Sequence, residues 1–202
     1  MEYVISDTHF NHENIFGADG FTDTRRHFIS KEEMNETLIK AWNACVRPGK
    51  DTIYFLGDFS LHSKVKADLD ILRRLNGHIV FIKGNHDHTK LKKAIQKDEE
   101  LSQRIEWYDL GTIIKRENHI IHLSHYPMII GNRGHRVNIH GHIHEMAYQE
   151  PNLLNVGVDS PELGGVPFGT PLTIQACVAL LDNKQERFDA MGGIYTKHGT
   201  IE

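Results

Sequence analysis

The chain has only two cysteines, Cys45 and Cys177, in 202 residues. They lie far apart, each in an apolar helical pattern. A disulfide framework is therefore excluded, and two buried free thiols in a reducing compartment are expected. A chain of this length buries about 70% of its unfolded surface and needs no such staple. No apolar run reaches the ~20 residues of a membrane span. No charged-then-apolar leader precedes the strand-like residues 1 to 5. A cytoplasmic location without membrane association is expected. An excess of basic charge is also missing: 23 Lys and Arg stand against 27 Asp and Glu, a net charge of −4 with neutral histidines. That balance argues against strong binding of a nucleic-acid polymer. It leaves an anionic small substrate open, because bound divalent cations would make a local site positive. No repeat, low-complexity tract or linker interrupts the chain, so one domain over residues 1–202 is expected.

What is present is an alternation of strand and helix signals. Glu2 to Ser6, Thr52 to Leu56 and Ile79 to Ile82 read as short strands. Between them, Ser30 and Glu33 form a capping box ahead of Met34, Leu38, Trp42 and Cys45 at helical spacing, stopped by Pro48-Gly49. Lys64 to Leu75 reads as a second helix stopped by Asn76-Gly77. This order is the signature of an α/β layer fold. After a lysine-rich helical stretch, Lys90 to Lys97, the texture becomes β-rich. Ile105 to Tyr108, Thr112 to Lys115, His119 to Leu123, Val137 to Ile139 and Leu153 to Val156 read as strands, with Glu117-Asn118 as a hairpin turn. Ile174, Cys177, Val178, Leu181 and Phe188 form a last helical stripe, stopped by Gly192-Gly193. The two halves are expected to give the two sheets of one sandwich.

Histidine is the residue in excess, at 15 copies. Several stand just after the strands, in Ser6-Asp7-Thr8-His9, Gly84-Asn85-His86-Asp87, Leu123-Ser124-His125 and His140-Gly141-His142-Ile143-His144, and Leu56-Gly57-Asp58 adds a carboxylate at another strand end. Carboxylates, an amide and imidazoles gathered at strand ends suit two hard-to-borderline divalent ions. Ligands in α/β sheets collect outside the carboxyl ends of strands. Asp7 and His9, two apart in an extended stretch, would face one side and reach one ion. His142 and His144 repeat the spacing. Gly57, Gly84 and Gly141 precede ligands, where a Cβ would obstruct close approach of backbone to metal. Taken singly, each block also reads as a turn, a cap or surface histidine; together they point to a metal site.

These blocks resemble the calcineurin-like metallophosphoesterase superfamily, whose pattern is D-x-H, G-D, G-N-H-[DE], an isolated H, then G-H-x-H. All five are present without substitution between residues 7 and 144. Ser6 to His12 and Asn155-Val156-Gly157-Val158-Asp159 resemble small bacterial and phage phosphoesterases of that group. The resemblance implies an α/β fold, a four-layer αββα sandwich of two mixed β-sheets flanked by helices, with the active site at the strand C-terminal end. It implies two divalent ions: Asp7, His9 and His144 on one, Asn85, His125 and His142 on the other, Asp58 bridging. Mn²⁺ is the leading candidate, with Fe²⁺, Ni²⁺ or Zn²⁺ as alternatives.

The chemistry implied is phosphoester hydrolysis by a metal-activated hydroxide, with no covalent phosphoenzyme. His86 is the catalytic group expected beside the phosphate. Asp87 follows it, either holding its tautomer or capping the loop. His12, Arg26 and Arg133 are the candidate substrate-binding residues, with Arg25 a further cation in the same long loop as His12. His140 alternates away from His142 and is expected to pack behind the site. The absence of a large cap insertion favours an open site and a phosphodiesterase acting on a nucleotide, cyclic nucleotide or short oligonucleotide. A phosphomonoesterase acting on a small metabolite and a non-catalytic protein on the same scaffold are the alternatives.

Overall fold

β1 (Glu2–Ile5), β2 (Thr52–Phe55) and β3 (His78–Ile82) are apolar on both faces. Tyr3, Ile5, Ile53, Phe55, Ile79 and Phe81 enter one core; Val4, Tyr54, Val80 and Ile82 enter the other. A period-2 strand with two apolar faces belongs inside a layered parallel sheet. The three strands do pair in parallel. The computed structural model describes residues 1–61, 64–131 and 134–192.

Helices α1 (Lys31–Cys45), α2 (Val65–Arg74) and α3 (Thr89–Lys97) cover the first face with Leu38, Trp42, Leu72, Leu91 and Ile95. α1 starts at the capping signal: the Glu33 amide donates to Ser30 Oγ at 3.1 Å. The returning bond falls one residue early, with the Ile29 amide donating to the Glu33 carboxylate at 3.0 Å. A short helix, α4 (Leu101–Arg104), follows α3 and leads into β4 (Ile105–Tyr108).

The first sheet runs β4-β3-β2-β1-β9, where β9 (Leu172–Thr173) pairs antiparallel to β1. The second runs β5 (Gly111–Arg116), β6 (His119–Ser124), β7 (Arg136–His140), β8 (Leu153–Asn155). Ile121, Leu123, Val137, Ile139 and Leu154 meet Val4, Leu56, Val80 and Ile82 between the sheets. α5 (Ile174–Ala190) drives Ile174, Cys177, Val178 and Leu181 into that same core. The result is two mixed sheets flanked by helices, as expected. No helix among the described residues is long and apolar enough to cross a membrane.

Three details differ from the sequence reading. Ile105 to Tyr108 belongs to the first sheet, pairing in parallel with β3, because Ile105 joins the helix-side core and Trp107 stacks on Phe81 at 4.3 Å. The change of sheet therefore falls between β4 and β5. β9 is too short to leave a pattern. Cys177 is a buried free thiol, but the free thiol Cys45 is only half-buried. The β5–β6 turn is as expected: Glu117 (φ 47) and Asn118 (φ 60) take the left-handed pair of a two-residue hairpin. Gly193, the second half of the expected helix stop, and the tail after it lie outside the described residues.

Candidate metal centre

Three of the strands end in loops bent by left-handed residues. Asp7 (φ 58), His9 (φ 47) and Asn11 (φ 62) follow β1; Asp58 (φ 58) follows β2; His142 (φ 73) and His144 (φ 47) follow β7. Asp, Asn and His are the non-glycine residues that enter this region most readily, and each still costs ~1–3 kcal/mol. The expected extended geometry at Asp7-Thr8-His9 and His142-Ile143-His144 is therefore corrected. The loops zigzag, and their backbone is held from outside. The amides of Asp7, His9 and Phe10 donate to the carbonyls of Gly57, Asp58 and Phe59 at 3.0, 3.1 and 2.7 Å. The His142 amide donates to both Asp7 carboxylate oxygens, at 2.9 and 3.1 Å.

Two donor groups result. Asp7, His9 and His144 form one, and Asp58, His125 and His142 the other; within each, the donor atoms lie within 4.8 Å of one another. His142 and His144 thus serve different groups. Asp58 Oδ2 faces three imidazoles: His125 Nε2 at 3.4 Å, His9 Nε2 at 3.7 Å and His86 Nε2 at 3.9 Å. Asn85 Oδ1 lies 2.8 Å from His125 Nε2, beside the second group. Neither ring nitrogen of buried His9 has a hydrogen-bond partner among the described residues. A buried polar atom without a partner is costly, and a cation is the partner this geometry suits.

The electrostatics point the same way. Burial, with the Arg25 charge behind it, holds the His9 imidazole well below its usual value and therefore neutral. Burial pushes the Asp7 carboxyl upward. Burial opposes ionisation of Asp58 too, but His125, the His86 amide and His9 outweigh it and hold the carboxyl at about 2. Imidazoles and buried carboxylates with no thiolate are a donor set for borderline divalent ions.

The glycines act differently from expectation. A Cβ on Gly84 would lie 2.2 Å from Asp58 Oδ1, and one on Gly141 would lie 2.3 Å from Asp7 Oδ2. They let the loops approach each other's carboxylates, so the crowding is between loops.

His86 stands at the mouth. Its ring lies 5.5 Å from that of His9, half-exposed, and its amide donates to Asp58 Oδ1 at 2.8 Å. Of the two roles expected for Asp87, the bonds observed are those of the loop cap. Its carboxylate accepts the amides of Asp58 and Gly84, each at 2.8 Å, and of Phe59 at 2.9 Å. Both oxygens are thereby committed to backbone.

The candidate substrate residues fare unequally. The His12 ring packs edge-on to His9 at 5.8 Å, within the site's surroundings. Arg26 is exposed and paired with Asp23 at 2.6 Å, so the structure gives it a surface partner instead of a place by the donors. Arg133 lies outside the described residues. Arg25 is fully buried and cannot grip a substrate. His140 packs behind the site, its Nδ1 2.8 Å from the Gly141 carbonyl. Two aromatics not singled out in the sequence border the donors. Phe21, 72% exposed, sets its ring 5.3 Å from His144; Tyr126, 51% exposed, sits 4.6 Å from His142. Nothing in the sequence marks them, because loop aromatics carry no periodicity.

Residues 3–146 match the calcineurin-like phosphoesterase family, and the chain belongs to it. An uncharacterized protein of Methanocaldococcus jannaschii is 43% identical over 138 residues, 63% of this chain and 74% of that protein. A solved protein of unknown function from Aquifex aeolicus shares the fold at a TM-score of 0.60 and 26% identity, over 89% of this chain and 98% of that one. An archaeal phosphodiesterase structure is a more distant likeness, at 17% identity, 79% and 83% coverage and a TM-score of 0.43. The family is one of phosphoester hydrolases that use divalent metal ions, and the two donor groups fit that requirement.

Proposed function

We propose that the chain, acting as one domain, is a dinuclear metal-dependent phosphodiesterase of the cytoplasm, with a nucleotide, cyclic nucleotide or short oligonucleotide as substrate. The observation that carries this reading is Asp58 Oδ2, placed between the imidazoles of both donor groups. Asp7, His9 and His144 would hold one ion, and His125, His142 and Asn85 the other, with Asp58 shared. Mn²⁺ is the first candidate. Two divalent ions supply a water of lowered pKa and positive charge for the phosphoryl oxygens. The chain's own residues do the rest. His86, half-exposed beside His9 and Asp58, is placed to protonate the leaving oxygen or to hold positive charge near it. The free thiols support a reducing compartment. The exposed rings of Phe21 and Tyr126 next to the two groups support a substrate carrying a planar base.

The test is hydrolysis of bis-p-nitrophenyl phosphate beside p-nitrophenyl phosphate, after metal stripping and Mn²⁺ readdition. Metal-dependent cleavage of the diester is expected. Cleavage of the monoester alone would replace this reading with a phosphatase. Bound metal with no turnover of either ester would favour a binding protein. In the same assay, His86→Ala is expected to lower kcat by about 10²–10⁴-fold. Its metal content, read by elemental analysis, should stay at the wild-type value. A wild-type rate in that variant would remove His86 from the mechanism.

A further inference from the structure

The zigzag after β1 raises an accounting question. Its Asp7, His9 and Phe10 amides are taken by the Gly57–Phe59 loop, and its buried carbonyls need donors of their own. One side chain answers for two of them. Arg25, from a 3₁₀ turn at Asp23–Arg25, donates through Nη2 to the Asp7 carbonyl at 2.7 Å and through Nη1 to the Thr8 carbonyl at 2.9 Å. Its remaining edge forms a fork on Asp159: Nε to Oδ1 at 2.8 Å and Nη2 to Oδ2 at 2.7 Å. Thr24 Oγ1 also donates to Asp159 Oδ1, at 2.5 Å. Asp159 Oδ2 then lies 3.2 Å from His144 Nδ1. Both charged side chains are fully buried.

We propose that Arg25 and Asp159 are a positioning pair for one ion of the two, the one held by Asp7, His9 and His144. This rests on the metal-centre reading above. Arg25 fixes the strained backbone that aims Asp7 and His9. Asp159 accepts the Nδ1 proton of His144, which leaves Nε2 unprotonated and pointed to the donor group. A buried arginine alone would be an unpaired charge, and Asp159 alone an unpaired carboxylate. Together they satisfy each other, and they reach Asp7 and His144 directly and His9 through the Thr8 carbonyl that precedes it. Among the described residues, neither contacts Asp58, His125 or His142 through any hydrogen bond or ion pair. The direct contacts of the pair are therefore confined to one donor group, and its effect is expected to fall first on that ion. A carboxylate behind a metal-bound imidazole has this orienting use in general, while the arginine that ties it to the opposite ligand loop is particular to this arrangement.

The experiment is Mn²⁺ binding to the full chain by chelator competition, with Asp159→Asn and Arg25→Lys as variants. Lysine keeps the charge but cannot span two carbonyls and a carboxylate. Wild type should bind two ions. Each variant should hold one of them about 10–100-fold more weakly and the other within about threefold of wild type. Two ions held at wild-type affinity in both variants would overturn this inference alone. Equal weakening of both would overturn it too, since that marks general loosening. A wild type that binds no Mn²⁺ would overturn the metal-centre reading and this inference with it. A second readout needs no variant: long-range ¹H–¹⁵N correlation on the metal-free wild type at alkaline pH. His144 should carry its proton on Nδ1, and an Nε2–H tautomer would overturn the orienting role.

Discussion

Replacing Asp58 with Asn is expected to lower kcat/KM for a phosphodiester by ~10³-fold or more, about 4 kcal/mol of transition-state stabilisation. The reason is the position of one oxygen. Oδ2 faces His125 at 3.4 Å, His9 at 3.7 Å and His86 at 3.9 Å, so one charge serves both donor groups. An amide in its place has no net charge to share between two cations, and with its oxygen kept on the His86 amide it presents N–H donors where Oδ2 accepted. The backbone should tolerate the change. Asn is as comfortable as Asp at φ 58, and its oxygen can still accept the His86 amide. Loss of activity should therefore come with loss of Mn²⁺, read by chelator competition, and with a nearly native fold, read by circular dichroism. Retention of two tightly held ions would contradict the bridging role.

The same carboxylate predicts a pH signature in metal-free protein. Its folded value of about 2 is depressed from the ordinary 3.8, so its stabilisation is complete above 3.8 and lost as pH falls through about 2. Asp58→Asn should flatten the acid limb of stability in that window.

Much of this was legible in the sequence because the strands are short and apolar and the donors follow them at once. Phe55-Leu56-Gly57-Asp58 and Ile82-Lys83-Gly84-Asn85 show the boundary between packing and chemistry without any structure. What was not legible depends on backbone conformation. Asp7-Thr8-His9 has the spacing of an extended stretch, and only the folded backbone shows two left-handed residues in it. Arg25 reads as one more loop cation, because the carbonyls that it satisfies exist only after the loop has bent. Trp107 reads equally well in either sheet until Phe81 is seen beneath it.

Asp87 gives the second large effect, and it is an effect on stability. Asp87→Ala should cost ~3–5 kcal/mol and lower Tm by roughly 6–20 °C for a chain of this size. The carboxylate accepts three buried amides, from Asp58, Phe59 and Gly84. Truncation leaves all three without an acceptor inside a buried turn, and an unmade buried hydrogen bond costs more than a made one contributes. Asp87→Asn should lie between the two, since its one oxygen can keep part of the set while its amide nitrogen opposes a donor. The outcome separates two roles. If Asp87 served His86, kcat would fall while Tm held, because the histidine ring is half-exposed and adds little to the core. The bonds observed require the reverse. Tm falls, Mn²⁺ binding at the Asp58 group weakens as its loop loosens, and turnover per metal-loaded molecule changes little below the new Tm. Thermal melts at several Mn²⁺ concentrations check this, since saturating metal should restore part of the lost Tm by mass action. An unchanged melt in Asp87→Ala would favour the other expected role, that of holding the His86 tautomer.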